Sequence, residues 1–571
     1  MNYLTDCVRE DREYAQLLRA IHNLKTARTP LPILVGGLCD GATDAMYVSL
    51  LTDLKQKECR PALLICSEEK ECVRLRGMLE QFGLRTAFYV GRDLTFYNIT
   101  ASHEYEHERL RVLSGILEGS FDAVVTTPDA ALSYTIPAER LIAAQIKLEY
   151  DKTTVEPAEL AASLIRAGYV RTELVDAPGQ FAIRGGIIDV YPAMARFTDV
   201  DGQVSAGAYP FRIELFGDEI DRMEIFDPAT QRMTVTLNAV EFSPARELLL
   251  DESAKEQLKK AIGLWKGKSR DERAIEEMTA ELAVLEGNTE VNFADKYISL
   301  IYPERACLLS YFSSRTTVFL RGYTAITDRL KASEWHLNQT VEELLEGGTI
   351  APKYTDYAKP QSALELFLED STTVHFESLG QGMSAKKLSA MFSFRSKHMV
   401  SYCENLELLC EDLEAYRRGG YRVILIAENE AAAKNLCALL RDKGFSALTE
   451  VDEGEYTVAT LPKETFMVTW KQYLRGYELT VPKIAVLSTA PESREGALTA
   501  GGKLKRKKKK RSGTETILSY NDLEIGDFVV HEVHGIGQYM GIENLTVDGV
   551  SRDYINIRYA GSDRLFLPVD K

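Results

Sequence analysis

Between Pro32 and about Pro128 the apolar residues fall into short unbroken runs (ILVGG, PALLIC, RTAFYV and FDAVVTT), separated by helix-length stretches such as Tyr47–Lys55 and Lys70–Phe82. Continuous apolar runs mark strands covered on both faces, and their alternation with helical stretches predicts βαβ units on a parallel sheet. From Gly168 to Asp227 the texture changes: GQFAIRGGIIDVYP and YPFRIELFGDEIDRMEIF read as strands with close turns. This predicts a small α+β module inserted into the first α/β domain. Asp251–Leu285, dense in Glu, Lys and Ala, predicts helices. A second small α/β unit is predicted by YRVILIAENEAAAKNLCALLRDKGF, with a buried-type strand at Val423–Ile426, and by the strand KIAVLST. Over Leu523–Pro568 the segments GDFVVHEVHG, GQYMGIENLTV, DYINIRYAG and DRLFLPV, with close turns between them, predict five or so short strands and a small open β-barrel.

The expected division is therefore residues 1–134 for the first part of an α/β domain, 135–228 for the inserted module, and 229–380 for the continuation of the α/β domain. A small α/β domain follows at 381–495, a flexible linker at 496–516 and the barrel at 517–571. A chain of 571 residues is longer than one core usually supports, so the fold class is multidomain α/β and α+β. Hydrophobic residues at 45% and charged residues at 27% exclude a generally disordered or fibrous chain. The net charge of −17 disfavours a nucleic-acid grip spread over the whole surface and leaves only local basic patches. One such patch is Lys503–Arg511, where eight of nine residues are basic. It reads as a solvated tether or as a nonspecific contact with DNA or RNA phosphates. Nine cysteines without a C-x-x-C pair, a charged start and the lack of a long apolar run predict a cytoplasmic protein with no membrane partner.

Gly36-Gly37-Leu38-Cys39-Asp40-Gly41-Ala42-Thr43 has the spacing of a phosphate loop, with Ala42 where the lysine belongs. A methyl group cannot supply that lysine's charge-assisted contact to phosphate, and FDAVVTTPDA ends in no Asp-Glu pair for Mg²⁺. Gly36, Gly41, Ala42 and Thr43 thus form a degenerate loop, with no cofactor expected in this chain. His103-Glu104-Tyr105-Glu106-His107 matches H-E-x-x-H, but its charged flanks and the lack of an evident third ligand predict a solvated helix and no metal site. No catalytic residues are expected elsewhere. Gly168–Arg171 and Phe181–Pro192 combine glycine turns, strand alternation and arginines, either as a solvated hairpin or as a protein-docking surface.

Three stretches resemble one family, the bacterial transcription-repair coupling factors, in that family's order. GYVRTELVDAPGQFAIRGGIIDVYP with FRIELFGDEIDRMEIFDPATQR is similar to the module that family shares with the excinuclease subunit UvrB. The lysine-less loop Gly36–Thr43 lies where UvrB keeps a working one. GDFVVHEVHGIGQYMGIENLTVDGVSRDYINIRYAGSDRLFLPV is similar to the RNA-polymerase-interacting domain shared with CarD-type regulators.

The resemblance implies a degenerate RecA-like, UvrB-homology domain and a terminal SH3/Tudor-like barrel. It also implies two partners. The inserted module would bind UvrA through Arg171 and Arg184, with Phe181 and Tyr191 as flanking contacts; Ala182 stands where UvrB carries another arginine, so the set of charged contacts is reduced. The barrel would pair a strand edge with the β subunit of RNA polymerase, Tyr539–Leu545 being the candidate edge. Tyr539, Ile542 and Leu545 are its candidate contacts, the last two reading equally as barrel core. The family's ATP- and Mg-dependent DNA translocase lies beyond the polymerase-binding domain, so this chain is expected to be truncated, noncatalytic and in contact with DNA at most weakly through residues 503–511. The competing reading is a UvrB-like damage-binding ATPase or helicase subunit, which Ala42 and the terminal barrel oppose.

Overall fold

The computed structural model describes residues 3–28, 30–55, 61–92, 94, 104–287, 291, 293–377, 387–403, 405–449, 457–490, 528–531, 535–547, 550–558 and 564–568. The chain divides into two units, residues 1–502 and 503–571.

In the first unit a seven-stranded parallel sheet runs in the order Ala390–Ser393, Ile33–Gly36, Thr372–Glu377, Thr317–Arg321, Ala62–Cys66, Ala123–Thr126, Thr86–Tyr89. Ala62–Cys66 is buried along its whole length, as its unbroken apolar run requires. The helix Asp40–Lys55 is buried on nearly every side, and its Tyr47 ring packs edge-on against Phe319 and Phe376. Such a helix lies inside a core and carries little of the amphipathic pattern that marks a surface helix.

The inserted module is a nine-stranded sheet in the order Val204–Gly207, Ala195–Asp199, Met233–Phe242, Glu219–Phe226, Phe211–Phe216, Ile187–Tyr191, Gln180–Arg184, Val170–Arg171, with Ile146–Glu149 also paired to Met233–Phe242. Phe181, Phe197, Phe211 and Phe242 fill its core together with Leu160 and Leu164 of the helix Pro157–Arg166. The sheet continues past residue 228, because Met233–Phe242 pairs with Glu219–Phe226 on one side and Ala195–Asp199 on the other.

A third sheet runs in the order Ser396–His398, Tyr477–Leu479, Ile484–Ser488, Arg422–Ile426, Thr465–Thr469, Ser446–Thr449. One face of it shares a hydrophobic core with the first sheet: Ile424, Ile426, Met467 and Val486 cluster with Ile33, Val35, Met46 and Leu50. The two α/β parts are therefore packed as one body.

In the second unit Phe528–His531, Gly535–Val547, Val550–Arg558 and Arg564–Pro568 form a four-stranded antiparallel sheet in chain order. The described pairings are those of a meander and do not include closure into the expected barrel. Among the described residues no helix is long and apolar enough to cross a membrane.

Candidate docking faces and the phosphate-loop region

The loop after Ile33–Gly36 sits at the carboxyl ends of the parallel strands, where open α/β sheets bind ligands. Here its polar groups engage the chain itself. Phe394 N donates to Gly36 O at 2.9 Å, and Ser396 N donates to Gly37 O at 3.2 Å. The Ser396 hydroxyl accepts from Cys39 N at 2.6 Å and donates to Gly37 O at 3.0 Å. Gly37 has φ +80, and a Cβ there would overlap the Phe394 carbonyl oxygen; a Cβ on Gly41 would overlap the Arg475 carbonyl.

The charges nearby are also internally matched. Asp40 at the helix start pairs with Arg321 at 2.8 Å and with Arg475 at 3.2 Å. One turn on, buried Asp44 receives both terminal nitrogens of Arg74 at 2.8 Å. Burial alone would raise the Asp44 carboxyl, but Arg74, aided by Arg321 and Arg475, outweighs it and holds the group below the usual carboxylate range. Ala42 is fully buried, and the Thr43 hydroxyl donates to Cys39 O at 3.0 Å. No sequence motif announced Arg321 or Arg475; only the fold carries them to the loop from far along the chain.

A second ionic cluster joins the inserted sheet to the parallel one. Glu247, just beyond the last inserted strand, accepts from Arg109 at 3.0 Å through each oxygen, and Arg92 approaches at 3.3 Å. The Thr135 hydroxyl donates to the same carboxylate, and Arg109 also lies over the Tyr89 ring at 4.3 Å and donates to Val90 O at 2.8 Å. Burial would raise Glu247, yet Arg109 and Arg92 hold it below the usual range. The helix Glu104–Leu117, which carries most of the H-E-x-x-H match, serves this junction: Glu106 accepts from Glu247 N at 2.5 Å and forms an ion pair with Arg246 at 3.0 Å. His107 abuts Gly179, and His103 lies outside the described residues.

The expected contacts of the inserted module fall in different places. Phe181 is a correction: its ring is fully buried in the core of the sheet and offers nothing to a partner. Arg171, exposed on an edge strand, lies in register with Phe181, three positions from Arg184. An odd separation assigns the two arginines to opposite faces of the pleat. Arg184 is 46% exposed and pairs with Asp189 at 2.5 Å, while Arg212 binds both oxygens of that buried carboxylate at 2.5 and 2.8 Å. Tyr191 is half-buried beside Val175, Ala182 and Phe226. Arg212 escaped the reading of the sequence because it sits on a different strand, brought opposite Asp189 only by the pairing of Phe211–Phe216 with Ile187–Tyr191.

In the terminal sheet, Gly535–Val547 pairs with Phe528–His531 only through residues 535–538, whereas residues 538–547 pair with Val550–Arg558. Tyr539 is buried, so it too leaves the set of expected partner contacts. Ile542 stands opposite Ile555, and Leu545 opposite Arg552.

Residues 146–248 match the family described as the UvrB interaction domain, and residues 523–571 match the CarD-like/TRCF RID domain. The transcription-repair-coupling factor of Bacillus subtilis is 27% identical over 588 aligned residues, which take in 100% of this chain and 47% of that protein. The chain matches the N-terminal part of a transcription-repair coupling factor. The counterpart in Staphylococcus aureus strain MRSA252 is 24% identical over 100% of this chain and 46% of its own length. That of Staphylococcus haemolyticus is 24% identical over 94% and 44%. The chain thus spans about half the length of the curated relatives it matches. The match at 146–248 takes in all the strands of the inserted sheet, Met233–Phe242 included.

Proposed function

We propose that this chain is a noncatalytic adaptor of transcription-coupled repair. Its inserted sheet binds UvrA, and its terminal sheet binds the β subunit of RNA polymerase. The observation that carries this reading is the presence of both matched domains, 146–248 and 523–571, in one chain. On the inserted sheet the exposed arginines Arg171 and Arg184 are the charged contacts. On the terminal sheet, the stretch 539–545 has its described ladder on one side only, toward Val550–Arg558, and the other side is the edge to which a polymerase strand adds. ATP and Mg²⁺ belong to the translocase segment of the longer relatives.

The test is a binding assay of the chain against purified UvrA and purified polymerase β subunit. Both are expected to bind. Arg171→Ala with Arg184→Ala should weaken UvrA binding by about 2 kcal/mol or more, as for charged groups desolvated in an interface, while polymerase binding stays unchanged. Unchanged UvrA binding would remove the arginine assignment.

The phosphate loop is proposed to hold no nucleotide. Ala42→Lys, which restores the missing side chain, is expected not to create ATP binding measurable by calorimetry, because Ser396, Phe394 and the Arg475 carbonyl occupy the loop's surroundings. Micromolar ATP binding by that variant would show that the lysine alone had been lost.

A further inference from the structure

The helix Tyr323–Glu346 borders a cleft that neither docking sheet uses. Leu330, Ser333, Glu334, Leu337 and Asn338 line one wall, and their spacing of three and four residues puts them on one side of the helix. The opposite wall is the segment 355–361. That wall is fixed in place: Tyr134 N donates to Tyr357 O at 3.0 Å, Lys359 N donates to Leu132 O at 2.9 Å, and Ser133 bridges to Ala358. Buried Leu132 and Leu330 also line the cleft, whose volume of about 360 Å³ leaves room for an apolar side chain from outside. Two of its charged groups are already engaged within the fold. Arg92 pairs with Asp295 at 2.5 Å and Glu247 at 3.3 Å, and Asp129 pairs with Arg329 at 2.6 Å.

Trp335 stands at the rim, one helical turn before Asn338. It is 60% exposed, and its helix neighbours Lys331, Ala332, Asn338 and Gln339 are exposed as well, so the ring does little for the core of the fold. An apolar residue exposed singly needs no explanation, but an indole beside a cleft with an apolar floor extends that floor to the surface. Residues seven and eleven positions further lie on the same side of the helix as Trp335. These are Glu342 and Glu346, both exposed, and the last turn holds no basic residue. Carboxylates at a helix C-terminus oppose the backbone dipole, so they do not serve the helix itself, and a cation brought by a partner would be attracted to them. Glu334, on the cleft side, is exposed too, whereas the one exposed cation nearby, Lys331, is 4.0 Å from Asp328.

We infer that the cleft and Trp335 form a docking site for a basic segment of a partner protein. An apolar side chain of that segment enters the cleft, and an arginine lies over the Trp335 ring, with Glu334, Glu342 and Glu346 as the matching charges. Arginine suits the place because its planar, weakly hydrated guanidinium stacks on an indole face. A nucleic acid does not fit, since its phosphates would meet these carboxylates. The site lies outside the matched domains 146–248 and 523–571 and does not depend on either proposed contact.

The experiment titrates the whole chain by calorimetry with three blocked peptides: acetyl-Arg-Leu-Arg-amide, acetyl-Arg-Gly-Arg-amide and acetyl-Glu-Leu-Glu-amide. The first is expected to bind with a Kd of about 1 mM or tighter, the second about fivefold more weakly, and the third not at all. Trp335→Ala should weaken binding of the first about tenfold or more. Glu334→Gln with Glu342→Gln, a second variant confined to exposed side chains, should weaken it about threefold or more at low salt. Circular dichroism and the melting temperature of both variants should be those of wild type, because the altered groups are mostly in solvent. No binding of acetyl-Arg-Leu-Arg-amide, or equal binding by wild type and Trp335→Ala, would overturn the inference. Equal binding of the leucine and glycine peptides would overturn the role given to the cleft.

Discussion

Replacing Glu247 by alanine is expected to lower the stability of the first unit by about 3–5 kcal/mol, the largest single-residue effect anticipated in this chain. The carboxylate is 1% exposed and faces Arg109, itself 1% exposed, and Arg92. Without it the two buried guanidinium groups are left with backbone carbonyls, the Tyr89 ring and Asp295, which pairs with Arg92 at 2.5 Å. The arginines cannot deprotonate to escape the cost. Glu247→Gln should lose less, since the amide oxygen still accepts one of the arginine hydrogen bonds. Urea denaturation followed by circular dichroism checks both variants, and a loss below about 1 kcal/mol for the alanine variant would mean that water reaches the arginines after truncation. The effect reaches beyond the cluster: Glu247 follows directly on the inserted sheet, so loosening it frees that sheet from its seat on the helix Glu104–Leu117.

Gly37→Ala is the second large effect, and Gly83→Ala measures its baseline. Both glycines have positive φ, +80 and +76, so each substitution places an L-residue in the left-handed region at a cost of about 1–2 kcal/mol. Gly83 has nothing within 4 Å of a Cβ, and the cost should stop there. At Gly37 the Cβ would overlap the Phe394 carbonyl, so the backbone of that segment must move. Moving it puts at risk the bonds from Phe394 N to Gly36 O and from Cys39 N to the Ser396 hydroxyl, each contributing about 1 kcal/mol. Gly37→Ala is therefore expected to cost about 2 kcal/mol more than Gly83→Ala in the same denaturation experiment. Equal costs would mean that the loop is not braced by the 394–396 segment.

Several parts of the structure were legible beforehand because their determinants are local. The apolar runs at Ala62–Cys66 and Ala123–Thr126 are parallel strands buried on both faces, where no polar alternation is needed, and Ile33–Gly36 is a parallel strand that alternates buried and half-buried residues. The glycine turns around Gly185 make the hairpin that their spacing predicts. Other features were not legible. The inserted sheet runs on to Phe242 because Met233–Phe242 is a central strand whose partners lie elsewhere in the chain, and MTVTLNAVEF alone shows none of them. The resemblance made Phe181 a flanking contact beside the arginines. Its parity turns it into the core, and that parity is set by which face the helix Pro157–Arg166 covers.

By itself the sequence determined the succession of α/β, inserted β-rich and terminal β segments, and the loss of the lysine at Ala42. These depend on periodicity, composition and side-chain chemistry, all written along the chain. Tertiary structure alone decided that Arg321, Ser396 and Arg475 converge on the degenerate loop, that Glu247 neutralises Arg109, and that Arg212 stands opposite Asp189. Each of these joins residues distant in sequence, and such pairings are selected by the packing of whole sheets and helices, which no local pattern records.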